Sequence, residues 1–171
     1  MKSLCAVLVV VVVSLSTAAV AQTDAQKSFD KMKTLSGSWE GRVKTVPPSP
    51  EMEGKLMQVT MRTTSMGNAL LHEMKTAGRP DDPITMFYLD SDRLTLTHYC
   101  DAGNRPRMVA KASPDGKTVD FEFLDVVGNM QYGHMHHAKF TLIDENHHVE
   151  DWTFMVADKP VQAHFDLQRT K

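Results

Sequence analysis

At 171 residues and 42% hydrophobic, the chain is long enough for one domain with a core of its own. Its formal charge of −2 leaves no basic excess to neutralise phosphates, which argues against nucleic acid as a partner. Residues 1–21 read as an export leader. Lys2 gives a positive start, residues 4–15 form a Val-rich apolar run too short to span a bilayer comfortably, and Ala19-Val20-Ala21 is a small-residue cleavage pattern. The expected mature protein, residues 22–171, is therefore periplasmic or secreted, starts at Gln22, and keeps no integral membrane segment. Cys5 leaves with the leader, so Cys100 is left without an internal disulfide partner.

Residues 23–35 are predicted as the one helix. Thr23 is placed to cap it, Gln26 to complete a capping box, and Phe29 and Met32 share a face. Its expected role is a plug over one end of a sheet. Alternation with period two then takes over, interrupted by turn chemistry. After a strand opened by Trp39 comes a loop holding Pro47, Pro48 and Pro50. Met57, Val59 and Met61 follow, then Leu70, His72 and Met74, with Gly67-Asn68 between them. Ile84, Met86 and Tyr88 form the next apolar set, followed by Leu94, Leu96, His98 and Cys100. Met108 and Ala110 lead to the strong turn Pro114-Asp115-Gly116, then Val119, Phe121 and Phe123. Residues 132–152 read as a hairpin about Asp144-Glu145-Asn146. His134, His136, Ala138, Phe140 and Leu142 share one face of its first arm; Glu150, Trp152, Phe154 and Val156 share one face of the second. Val161, Ala163, Phe165 and Leu167 end the series. The pattern predicts an all-β protein: an antiparallel up-and-down barrel of about ten strands with one short N-terminal helix.

Leu35, Gly37, Trp39, Glu40 and Gly41, placed after the helix and opening the first strand, resemble the calycin superfamily of lipocalins, fatty-acid-binding proteins and nitrobindin-like barrels. The likeness is strongest to the nitrobindin-like branch and to secreted bacterial proteins related to it. Residues 97–108, THYCDAGNRPRM, also look like a signature of those secreted proteins. The resemblance covers most of the mature chain in layout and these two stretches in residues. It implies a barrel whose base is closed by Trp39. For the nitrobindin-like branch it implies haem held by one late histidine. His164 has the wrong phase for that role, so no position here is matched to it.

If the apolar face of each strand is inward, His72, His98, Cys100, His134, His136 and Trp152 point into the barrel among Met57, Met61 and Met74. A barrel of this size can leave a cavity, and this lining suits a small, partly apolar molecule. Arg107, with Arg105 near the mouth, is placed to meet an acidic ligand group. His134 and His136, two apart on one strand, could instead bind zinc with His98, with Glu150 as an oxygen ligand and water in the open position. That is the basis of the alternative reading, a metal-dependent enzyme. A haem barrel, or a filled barrel that binds protein, are further alternatives. No cofactor is required by the first reading; zinc and haem belong to the others. His147 and His148 are expected in solvent, and His137 and His164 on outer faces. No catalytic residue is assigned: His98 and Cys100 lie roughly 7 Å apart along a strand, and there is no nucleophile elbow or phosphate loop. Histidines on the wall predict ligand affinity that changes with pH near neutrality.

Overall fold

The helix comes first in the computed structural model, which describes residues 22–80, 82–113 and 115–170; the expected leader lies outside the described residues. α1 spans Asp24–Lys33. Thr23 Oγ1 accepts from the Gln26 backbone N–H at 3.1 Å, which satisfies one of the orphan donors of the first turn. Only half of the capping box forms, because the Gln26 side chain donates to Asp30 instead. Asp24 in the first turn and Lys31 and Lys33 in the last complement the helix dipole. Phe29 and Met32 are buried, as is Leu35 just beyond the helix.

Ten strands follow: β1 (Gly37–Val46), β2 (Leu56–Thr64), β3 (Ala69–Thr76), β4 (Ile84–Asp90), β5 (Arg93–Tyr99), β6 (Asn104–Ala112), β7 (Thr118–Gly128), β8 (His134–Asp144), β9 (His147–Val156) and β10 (Lys159–Arg169). Each pairs antiparallel with its sequence neighbour, and β1 pairs with β10, so the barrel is closed. Closure leaves no bare strand edge.

The alternation read from the sequence gives the inward face on most strands. Met57, Val59 and Met61 are buried, as are Leu70 and Met74, Leu94 and Leu96, Val119 and Phe121, and Phe165 and Leu167. Two strands depart from it. On β4 the buried set is Thr85 and Phe87, not Ile84, Met86 and Tyr88. Both faces of that strand carry large apolar side chains, so the pattern alone does not fix the phase. On β8 the register with β9 shifts between Met135 and His137. This bulge lets Met135 and Ala138 face inward on either side of it.

One end of the barrel is plugged and the other is open. α1 packs against β4, β5 and β6 at the plugged end. Trp39, 1% exposed, donates its indole N–H to the Leu35 carbonyl at 2.8 Å. The Arg169 guanidinium lies 4.0 Å from the centre of the Trp39 rings. Arg169 also donates to the carbonyls of Thr34, Ser36 and Glu145, tying the helix exit and the β8–β9 turn to the last strand. Gly41 is required by this seam: a Cβ there would stand 2.0 Å from the Asp166 carbonyl oxygen. Together these contacts fix the open end as the place where space remains.

Candidate functional site

The site has two storeys, a sealed polar cluster and an open cavity above it. The cluster is built on β9. Its period-two alternation sends His148, Glu150 and Trp152 inward together. Glu150 is fully buried and accepts from three side chains. His72 Nε2 on β3 lies 3.1 Å from both carboxylate oxygens. His148 Nε2 donates to Oε1 at 3.0 Å and Trp152 Nε1 to Oε2 at 2.9 Å. A carboxylate can only accept, so both imidazoles carry their proton on Nε2. Burial alone pushes the Glu150 carboxyl up, but the electrostatic pull of His72 and the hydrogen bonds from His148 and His72 outweigh it. They hold the group well below the usual carboxylate range. The Nδ1 atoms of His72 and His148 are buried and have no hydrogen-bond partner among the described residues. Aromatic rings enclose the cluster: Phe87 and Phe140 stand edge-on to His72, and Trp39 lies 4.3 Å from His148.

His148 is therefore the opposite of solvated. It lies two residues before Glu150 and so on the same face, and the tight turn before it leaves the strand phase intact. Sequence reasoning missed it by taking the residues just after the turn as solvated, although the alternation with Glu150 and Trp152 already marks His148 as inward. Glu150, foreseen only as an oxygen ligand, is the hub of the cluster.

Above the cluster lies a cavity of about 470 Å³ at the open end. Its walls include Met52, Met57, Met74, Met135, Phe154 and Val161, with Trp152 and His98 at the inner part. His98 is 1% exposed. Its Nδ1 lies 2.8 Å from Thr85 Oγ1, and its Nε2 has no hydrogen-bond partner among the described residues. Its ring stands 5.5 Å from that of Trp152. Burial, reinforced by electrostatic repulsion from the neighbouring His72, pushes the His98 imidazole down to about 3. It is neutral near pH 7, so it cannot supply the affinity change near neutrality expected from wall histidines. Cys100 lies on the cavity wall nearer the mouth, where its thiol donates to Asp101.

Of the residues singled out from the sequence, His98, Cys100 and Trp152 come together on the cavity wall, and His72 sits beneath them. His134, His136 and Arg107 do not join them. His134 pairs with Met155 on the face opposite Met135, because the β8 bulge reverses the phase between it and Ala138. His136 is the extra residue of that bulge. Its Nδ1 lies 3.2 Å from His134 Nε2, and its ring stacks on Phe123 at 4.6 Å. Burial, with the neighbouring His136, lowers the His134 pKa. Arg107 is engaged by both oxygens of Asp125, with Nε donating at 2.8 Å, and stays off the cavity wall. His137 and His164 lie on outer faces, paired with Asp120 and Asp151.

The zinc set of His98, His134 and His136 is accordingly not assembled, and no group of three metal-ligating His, Cys, Asp or Glu side chains occurs among the described residues. Haem, implied by the nitrobindin-like resemblance, does not fit as that branch holds it. The late strand β10 gives Val161, Ala163 and Phe165 to the cavity, while His164 is outside and bonded to Asp151.

No protein-family model matches the chain, and no curated protein does. Among solved structures it is similar to the crystal structure of Rv2717c from M. tuberculosis, with 15% identity and a TM-score of 0.60 over 84% of this chain and 98% of that one. At that identity the likeness speaks for the fold alone, a closed ten-strand antiparallel barrel.

Proposed function

We propose that this protein is an exported barrel of the calycin type, nearest the nitrobindin-like branch, that binds a small, partly apolar molecule in its open-end cavity. The observation that carries this reading is the cavity itself: about 470 Å³ beside a sealed core, walled by methionine and aromatic side chains, with one unpartnered imidazole nitrogen. Methionines give an apolar wall that adapts to shape, and a few placed polar groups set orientation. The filled-barrel alternative has no use for such a space.

The test is a titration of the mature protein with N-phenyl-1-naphthylamine, an uncharged apolar fluorophore whose emission rises on burial. Saturable binding is expected. Ala163→Phe projects a ring from the wall into the cavity and should weaken binding tenfold or more while the barrel stays folded. Binding untouched by Ala163→Phe would refute the cavity as the site. Export has its own test. N-terminal sequencing of the protein recovered from the cell envelope or medium should begin at Gln22; a retained Met1 would refute it.

A further inference from the structure

We infer that the ligand is an uncharged amphiphile carrying a hydroxyl at its buried end, where it meets His98 Nε2. The inference rests on the binding reading above and adds which chemistry the cavity accepts.

It follows from what the polar groups of the cavity already do. Thr45 Oγ1 donates to Glu53 and accepts from the Ser49 N–H. Thr76 donates to the Met57 sulfur. Arg79 is bridged to Glu51 and Asp101 at the mouth. At the inner wall, His98 Nε2 remains without a partner among the described residues, on a side chain 1% exposed. The ring borders the open cavity, where water can reach Nε2, and a ligand that displaces that water must offer an equivalent hydrogen bond.

Charge is selected against in both senses. An anionic head at the inner wall would lose its hydration and find a neutral imidazole in place of a cation. It would also face the Glu150 carboxylate behind Trp152. A cationic head would find that carboxylate already saturated by three donors. The Thr85 hydroxyl can donate to His98 Nδ1 or accept from it, so Nε2 presents either an N–H or a lone pair. A hydroxyl meets both forms, whereas a carbonyl meets one. The cavity, equal to roughly fifteen waters at about 30 Å³ each, leaves room for an apolar body pointing to the mouth.

The experiment displaces N-phenyl-1-naphthylamine from the mature protein with 1-octanol, octanoate and 1-chlorooctane at pH 7.5. Octanol should compete at least tenfold better than octanoate and than chlorooctane. His98→Phe should erase the advantage over chlorooctane, and His98→Gln, which keeps a donor and an acceptor, should restore much of it. Octanoate equal to octanol would overturn the inference, as would an octanol preference that His98→Phe leaves intact. If the fluorophore itself does not bind, the cavity reading falls with it. If the fluorophore binds and the three competitors are equal, the inference is refuted while the cavity reading stands. Circular dichroism of each variant separates lost recognition from lost folding, and His98→Gln supplies the test if His98→Phe unfolds.

Discussion

Glu150 holds a negative charge in the middle of the barrel, where N–H groups of His72, His148 and Trp152 stand in for water. A buried charge of this kind adds little stability over a well-packed apolar replacement of the whole group, but removing one partner alone is severe. Glu150→Ala is expected to cost about 3–5 kcal/mol in urea unfolding, because it strands three buried donors. Glu150→Gln keeps an acceptor yet turns an amide N–H₂ toward rings that also donate, so a smaller loss of about 1–3 kcal/mol is expected. A loss under about 0.5 kcal/mol for Glu150→Ala would mean the cluster is hydrated or not formed. Trp152 belongs to both storeys, bonded to Glu150 and lining the cavity, so Glu150→Gln should also loosen binding of the fluorophore.

Among the elements, the N-terminal corner is where a single side chain carries most. Trp39 seals the plugged end under α1 and Arg169, and Trp39→Ala should cost about 3–5 kcal/mol by urea unfolding, as large aromatic truncations in cores do. A cost below about 1 kcal/mol would take Trp39 out of the core. The place of Trp39 at this corner was legible only as what the calycin resemblance implies, whereas the helix and the strands were legible from capping residues, period-two alternation and turn residues, which are local signals. β5 is a good example: Leu94, Leu96 and His98 are buried as their spacing implies. The bulge in β8 was not legible. It depends on how β8 meets β9, and nothing in His134-Met135-His136-His137 marks which residue is the extra one. A single inserted position moved two of the imidazoles expected in the cavity off its wall and brought Met135 in. The Glu150 cluster lay between these cases. Its members alternate correctly on β9, but the contact with His72 spans 78 residues and exists only once the barrel closes.

For the whole molecule, two buried groups set the response to acid, and their signs agree. The His98 imidazole is held down to about 3 when folded against an ordinary value of 6.5. Below 6.5 the unfolded chain gains a proton that the folded chain refuses, so stability falls as pH falls from there toward 3. The Glu150 carboxyl is also held down, from an ordinary 4.5, and its contribution is full above 4.5 and lost below it. Urea midpoints should therefore begin to fall near pH 6.5 and fall faster under pH 4.5, each group adding a slope of at most about 1.4 kcal/mol per pH unit. His98→Phe should flatten the upper segment and leave the lower one. A midpoint constant from pH 8 to pH 5 would contradict the burial of His98 as a neutral ring. Fluorophore binding, in contrast, should be flat between pH 6.5 and 8.

The β1–β10 seam, with Gly41 pressed on Asp166 and Arg169 hooked over Trp39, also has a meaning in time. The first strand made must wait for the last one made. Until β10 arrives, β1 and β9 each carry an unpaired row of backbone donors and acceptors, and the nine strands before it form an open sheet. The long wait makes closure slow, and a growing or truncated chain meanwhile offers its two edges to any neighbour that comes by. Whether those nine strands become a vessel or a template for aggregation is decided by the final strand of the chain.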